Sequence, residues 1–193
     1  MVVSSANSYS TSNNEFININ KNNERKLAKL KQNGQIQIYQ SSYRGSYSSM
    51  IRDSLRNAAL GRKVLLVQLM KGGVKQGISN PQKLCGNLTW IRSSNSFDKY
   101  DSIELINDKN LSVSINESII ELWNFCKEEL LSGNYDQIIL DEIFLAIEMK
   151  IIDKDDLIST LENRFISGDV ILTGTSIPKN FLLMADQVTE LRS

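Results

Sequence analysis

Apolar positions along this chain follow two rhythms that alternate from end to end. Ile36 and Ile38 alternate with Gln35 and Gln37, the period of two expected of a half-buried strand over 35–39. Met50, Ile51, Leu55, Ala58 and Ala59 then recur at helical spacing and predict a helix over 47–60, with Gly61 as its stop. Residues 64–69, apolar but for Gln68, are suited to a strand covered on both faces. Residues 88–91 predict another short strand, whereas 93–113 are polar and yield no assignment. Residues 116–131 read as a helix capped by Asn116, with Ile119, Ile120, Trp123 and Leu130 inward and Gly133 ending it. Residues 137–140 predict a buried strand that runs into Asp141 and Glu142. A helix over 154–163, a strand over 169–173, a helical turn over 181–185 and a strand over 187–191 complete the series. Strands alternating with helices predict an α/β fold, a mainly parallel sheet wrapped by helices.

The flanks change this picture little. Residues 1–20 are rich in Ser and Asn without periodicity and are expected to be a disordered tail. Residues 21–193 are expected to form the single α/β domain. It opens with a short basic helix over 22–31, flanked by Lys21, with Leu27 and Leu30 as a thin apolar stripe.

Composition excludes several chemistries. The 193 residues are 41% hydrophobic and 23% charged, ordinary for a globular protein of one domain. Lys+Arg and Asp+Glu both number 22, so no overall charge favours nucleic acid or a membrane surface. There is no histidine, which excludes Ser-His-Asp and Cys-His catalysis and every imidazole metal ligand. Cys85 and Cys126 lack metal-site spacing and are expected to be reduced structural thiols. No apolar run is long enough to span a bilayer, and no signal-peptide core opens the chain, so a cytoplasmic protein is expected.

In a parallel sheet, ligands bind outside the carboxyl ends of the strands. The loop 41–46, Lys71, the pair Asp141-Glu142 and Gly174-Thr175 all fall at such ends. The loop between the first strand and its helix is where N–H groups at a helix start attract phosphate. Of the glycines and lysine that a phosphate-binding loop uses, only Gly45 is present; Ser46 stands at the lysine and Tyr47 at the Mg²⁺-binding hydroxyl.

Four segments stand together: IYQSSYRGSYSS, VLLVQLMKGG, IILDEIFLAI, and VILTGTSIP followed by ADQVTEL. In order and spacing, over residues 24–191, they resemble the P-loop-type corrinoid (cob(I)alamin) adenosyltransferases. The resemblance implies a P-loop NTPase (RecA-like) fold and a homodimer. It implies transfer of the 5′-deoxyadenosyl group of ATP to the cobalt of a reduced corrinoid, with Mg²⁺ as cofactor and triphosphate released. The family's loop G-x-G-K-G-K-T-T would fall on 41–48. Ser41, Tyr43, Ser46 and Tyr47 depart from it, Arg44 keeps a positive charge, Gly45 is retained and Ser48 matches as a hydroxyl. Ser41, Ser42, Arg44, Gly45, Ser46, Ser48, Lys71 and Gly174 are then the candidate nucleotide and phosphate contacts. Arg44 is expected to carry most of the remaining attraction for an anion. Asp141 and Glu142 match the acidic pair that serves metal and catalysis. Leu88 and Trp90 match an aromatic-x-Trp segment against the corrinoid, with one aromatic replaced. The family's T-G-R becomes Thr173-Gly174-Thr175. Two functions follow from this mixture: a divergent transferase, or a non-catalytic binding or regulatory protein on the same fold.

Overall fold

The computed structural model describes residues 33–44, 48–72, 75–93 and 109–191. The expected tail over 1–20, the basic helix over 22–31 and the loop residues Gly45, Ser46 and Tyr47 lie outside them. The described elements belong to a compact unit that begins at Gly34.

The strands are β1 (Ile36–Ser41), β2 (Val64–Gln68), β3 (Gln82–Leu84), β4 (Leu88–Arg92), β5 (Gln137–Asp141), β6 (Asp169–Gly174) and β7 (Gln187–Leu191). The helices are α1 (Ser48–Ala59), α2 (Lys109–Ser132), α3 (Ile143–Glu148), α4 (Lys154–Glu162) and α5 (Lys179–Met184). The strands form one sheet in the order β3-β4-β2-β5-β6-β1-β7. Every neighbouring pair is parallel except β3 and β4, which form an antiparallel hairpin. This is the mainly parallel α/β sheet expected, and its order sets β6 between β1 and β5.

The pleat divides the apolar side chains between two cores. Val64 and Leu66 of β2, with Leu88, Ile139 and Ile171, pack under Met50 and Ala58 of α1. Leu65 and Val67, with Ile36, Ile38, Ile138, Leu140, Val170 and Leu172, pack against α2, α3, α4 and α5 on the other face. Adjacent residues of one strand thus feed opposite cores, which is why 64–67 reads as an unbroken apolar run.

Two local expectations need correction. Asn116 caps no helix: α2 starts at Lys109, and Asn116 lies inside it. Ile115, Ile119, Trp123, Cys126 and Leu130 are all buried, and this stripe carries the helix through a residue of poor propensity. Ile120 does not face inward, being 42% exposed, and Leu122 is buried in its place. Gly61 and Gly133 do end α1 and α2, at φ of 94° and 72°.

Candidate functional site at the carboxyl ends of the strands

The parallel register brings the last residues of the central strands level. Gln68 pairs with Asp141 across β2 and β5, and with Arg92 across β2 and β4. Leu140 pairs with Leu172 and Gln40 with Gly174, so Thr173 stands beside Asp141 on one side and the end of β1 on the other.

Asp141 is fully buried and carries three hydrogen bonds. Its Oδ2 accepts from Gln68 Nε2 at 2.7 Å and from Lys71 Nζ at 3.1 Å, and its Oδ1 accepts from the Thr173 hydroxyl at 2.9 Å. The same hydroxyl accepts the backbone N–H of Glu142 at 2.7 Å. That contact holds an uncommon backbone, because Glu142 sits in the left-handed region at φ 60° and ψ 28°. A non-glycine residue there costs on the order of 1–3 kcal/mol and persists only where its surroundings fix it. The bend has a use: it starts α3 at once and turns the Glu142 side chain to face the β1–α1 loop.

Arg44 meets it there. The guanidinium forks onto the carboxylate, Nε to Oε1 and Nη2 to Oε2, both at 3.2 Å. The Glu142 side chain is 3% exposed and that of Arg44 34%. A two-pronged pair of this kind fixes orientation as well as charge. Each member of the acidic pair therefore has its own cation, Lys71 on Asp141 and Arg44 on Glu142.

Gln68 extends the network to the next strand. Its Oε1 accepts from Trp90 Nε1 at 3.0 Å and from Arg92 Nε at 2.7 Å. The Arg92 guanidinium lies 4.6 Å from the centre of the Trp90 ring, a cation–π contact. The indole of Trp90 is thus two hydrogen bonds from Asp141.

Of the residues expected from sequence, Arg44, Lys71, Asp141 and Glu142 converge, with Gly174 beside them at the end of β6. Ser41 is buried at the end of β1, where its Oγ accepts the Tyr43 N–H at 3.2 Å and bends the loop. Ser42 and Ser48 are exposed, Ser48 as the first residue of α1. Leu88 does not join the cluster: it starts β4, is 1% exposed, and belongs to the core under α1. Trp90 packs against that core through its ring and reaches the cluster through its N–H. Gly45 and Ser46 lie outside the described residues. Sequence reasoning missed Gln68, Arg92 and the double role of Thr173. A signal was present, since Gln68 and Thr173 are polar residues at the ends of otherwise apolar buried strands.

The family model ATP:corrinoid adenosyltransferase BtuR/CobO/CobP matches residues 32–193. The chain belongs to this adenosyltransferase family. A corrinoid adenosyltransferase of Escherichia coli (strain K12) is 23% identical over 167 residues, covering 82% of this chain and 76% of that protein. An uncharacterized protein of Nostoc sp., all2391, is 23% identical over 172 residues, covering 82% of this chain and 44% of its own length. The seven-stranded α/β sheet is the P-loop NTPase-like architecture of the adenosyltransferase family. No helix among the described residues is long and apolar enough to cross a membrane.

A divalent ion fits this site poorly as it is arranged. Among the described residues, no three Asp, Glu or Cys side chains converge as a metal-binding group. The two carboxylates that match the family's acidic pair already hold an ammonium and a guanidinium.

Proposed function

We propose that this chain is an ATP:corrinoid adenosyltransferase, with nucleotide and corrinoid meeting at the carboxyl ends of β1, β5 and β6. The observation that carries the reading is the convergence of Asp141, Glu142, Thr173 and Lys71 at that edge, in a chain that matches the family from 32 to 193. In the reaction, the electron pair of the reduced cobalt forms a bond to C5′ of ATP. The C5′–O bond breaks, and its electrons leave with the triphosphate. The cobalt is the nucleophile, so no side-chain base is needed, which suits a chain without histidine. The protein's contribution is positioning and charge at the leaving group.

Lys71, Arg44, the hydroxyls of Ser41, Ser42, Ser46 and Ser48, and the backbone at Gly45 and Gly174 are the groups assigned to the phosphates. Trp90 is assigned to the corrinoid side, with Leu88 as core behind it. The family's homodimer is part of the proposal and is read from molecular mass in solution. The test mixes the protein with ATP, Mg²⁺ and a chemically reduced corrinoid. A light-sensitive cobalt–carbon product supports the reading; none above the rate without protein sinks it.

A second reading is favoured by a specific observation. Arg44, the charge left in the loop, is committed to Glu142, and Ser46 stands where the family has lysine. A lysine about 4 Å from a phosphate oxygen is worth on the order of 4 kcal/mol at an effective dielectric of about 20. Its loss weakens ATP binding by orders of magnitude. A non-catalytic protein that binds corrinoid on this fold would take up the pigment but form no cobalt–carbon bond, and the same assay separates the two.

A further inference from the structure

We infer that the acidic pair Asp141-Glu142 is not a divalent-cation site in this chain, because Lys71 and Arg44 take the place of the ion. Charge and lone pairs both work against an ion there. Two carboxylates face two side-chain cations at 3.1 and 3.2 Å, so the pair is already neutral. Both lone-pair directions of Asp141 Oδ2 are used, by Gln68 and by Lys71, and Oδ1 is held by Thr173. Both oxygens of Glu142 are engaged by one fork. A doubly charged ion binding here must expel at least one cation, and the expelled group stays tethered close by.

Neither expulsion is easy. Arg44 is three residues past the end of β1 and Lys71 three past the end of β2, so short tethers hold both charges at the site. Asp141 cannot swing out to meet an ion elsewhere: it is fully buried and pinned from β2 and β6. Glu142 is fixed at its backbone by Thr173. No histidine exists to complete a coordination shell, and no third carboxylate or thiol joins the pair among the described residues. The side-chain cations supply what an ion supplies to such a pair: they neutralise the acids and place positive charge at the strand ends. A polyphosphate reaching this edge would then meet guanidinium and ammonium rather than a metal held by the protein.

The test uses Mn²⁺ alone with the full chain, so it is independent of whether adenosyl transfer occurs. Free Mn²⁺ is followed by its paramagnetic resonance signal during titration. Wild type is expected to show no site tighter than about 1 mM, the weak end of protein sites for hard divalent ions. The double variant Arg44→Gln/Lys71→Met leaves the acids without their cations. If it stays folded by circular dichroism, it should gain one Mn²⁺ site at least about tenfold tighter, and adding Asp141→Asn should remove it. Micromolar uptake by wild type that Asp141→Asn or Glu142→Gln abolishes would overturn the inference. So would a folded double variant that gains nothing. If the double variant does not fold, wild type against Glu142→Gln decides: equal, negligible uptake supports the inference, and uptake by wild type alone overturns it.

Discussion

A hydroxyl can donate and accept at once, and the buried Thr173 does both. It donates to Asp141 and accepts from the strained backbone of Glu142, at 2.9 and 2.7 Å. Thr173→Val keeps the shape and removes both bonds. The Glu142 N–H loses its partner and Asp141 one of three, and each unsatisfied buried group costs about 1–3 kcal/mol. We expect a loss of about 2–4 kcal/mol in urea denaturation, with most of it recovered in Thr173→Ser. A valine variant as stable as wild type would mean that the hydroxyl does not hold the bend. Arg44 differs in kind. As a charged loop residue it would be expected to add little to stability, yet it covers a carboxylate that is 3% exposed. Arg44→Gln should therefore destabilise the fold as well as weaken anion binding, by roughly 1–3 kcal/mol after allowance for the exposure of Arg44. Glu142→Gln should relieve much of that loss when combined with it; additive effects in this double-mutant cycle would mean that the pair is not formed.

At the scale of elements, α3 rests on the end of β6 through the absence of a side chain. A Cβ at Gly174 would lie 2.6 Å from the Cβ of Phe144, whose ring in turn meets Phe181 edge-on at 5.1 Å. Gly174→Ala must push α3 away and carry Glu142 with it. The expected cost is about 1–3 kcal/mol of overpacking, measured by thermal or chemical denaturation. A stable variant with the Arg44–Glu142 pair intact would show that α3 can slide freely. The join of α2 to α4 gives a pH-dependent handle. Burial alone would raise the Asp156 carboxyl, but hydrogen bonds from Trp123 at 2.7 Å and Lys127 at 3.0 Å outweigh it and hold it below the ordinary value. A carboxyl lowered in the folded state adds stability that is complete above its unfolded value of about 3.9 and is lost as pH falls through the folded one. The gap in stability between wild type and Asp156→Asn should therefore be constant near neutral pH and shrink below about pH 4; a gap independent of pH there counts against the contact.

How legible these elements were in the sequence follows from their physics. Strands over 64–68 and 137–141 announce themselves because both faces are buried. By contrast, α3 is invisible to a search for helical period, since Ile143, Phe144 and Ala146 are all buried and Glu142 supplies no side-chain cap. The strand β3 is three mostly exposed residues held only by its hairpin partner, so no pattern marks it. The site was legible as a set of strand ends carrying Asp141, Glu142, Lys71 and Arg44. Its pairing was not, because Arg44 and Glu142 are 98 residues apart and only the strand order brings them together.

For the whole molecule, the two thiols offer a reading of global opening. Cys85 is exposed in the turn of the β3–β4 hairpin, whereas Cys126 is buried on the face of α2 that packs on the sheet. Burial, with a smaller contribution from Glu129, pushes the Cys126 thiol far above its ordinary value. The thiolate is the reactive form, so Cys126 should be inert until α2 leaves the sheet. With a disulfide reagent in excess, one thiol per chain should react at once and the second slowly, in proportion to the open population. Two fast thiols would contradict the packing of α2. The slow phase also reports binding without any turnover. A ligand that binds only the folded state lowers the open population by 1 + [L]/Kd, so a ligand at about 100 Kd should slow the second thiol about 100-fold. That estimate holds where closing outpaces the reagent. Corrinoid and ATP can then be compared singly, with and without Mg²⁺. A corrinoid effect with no ATP effect would favour the binding protein over the transferase; protection by ATP would favour the transferase.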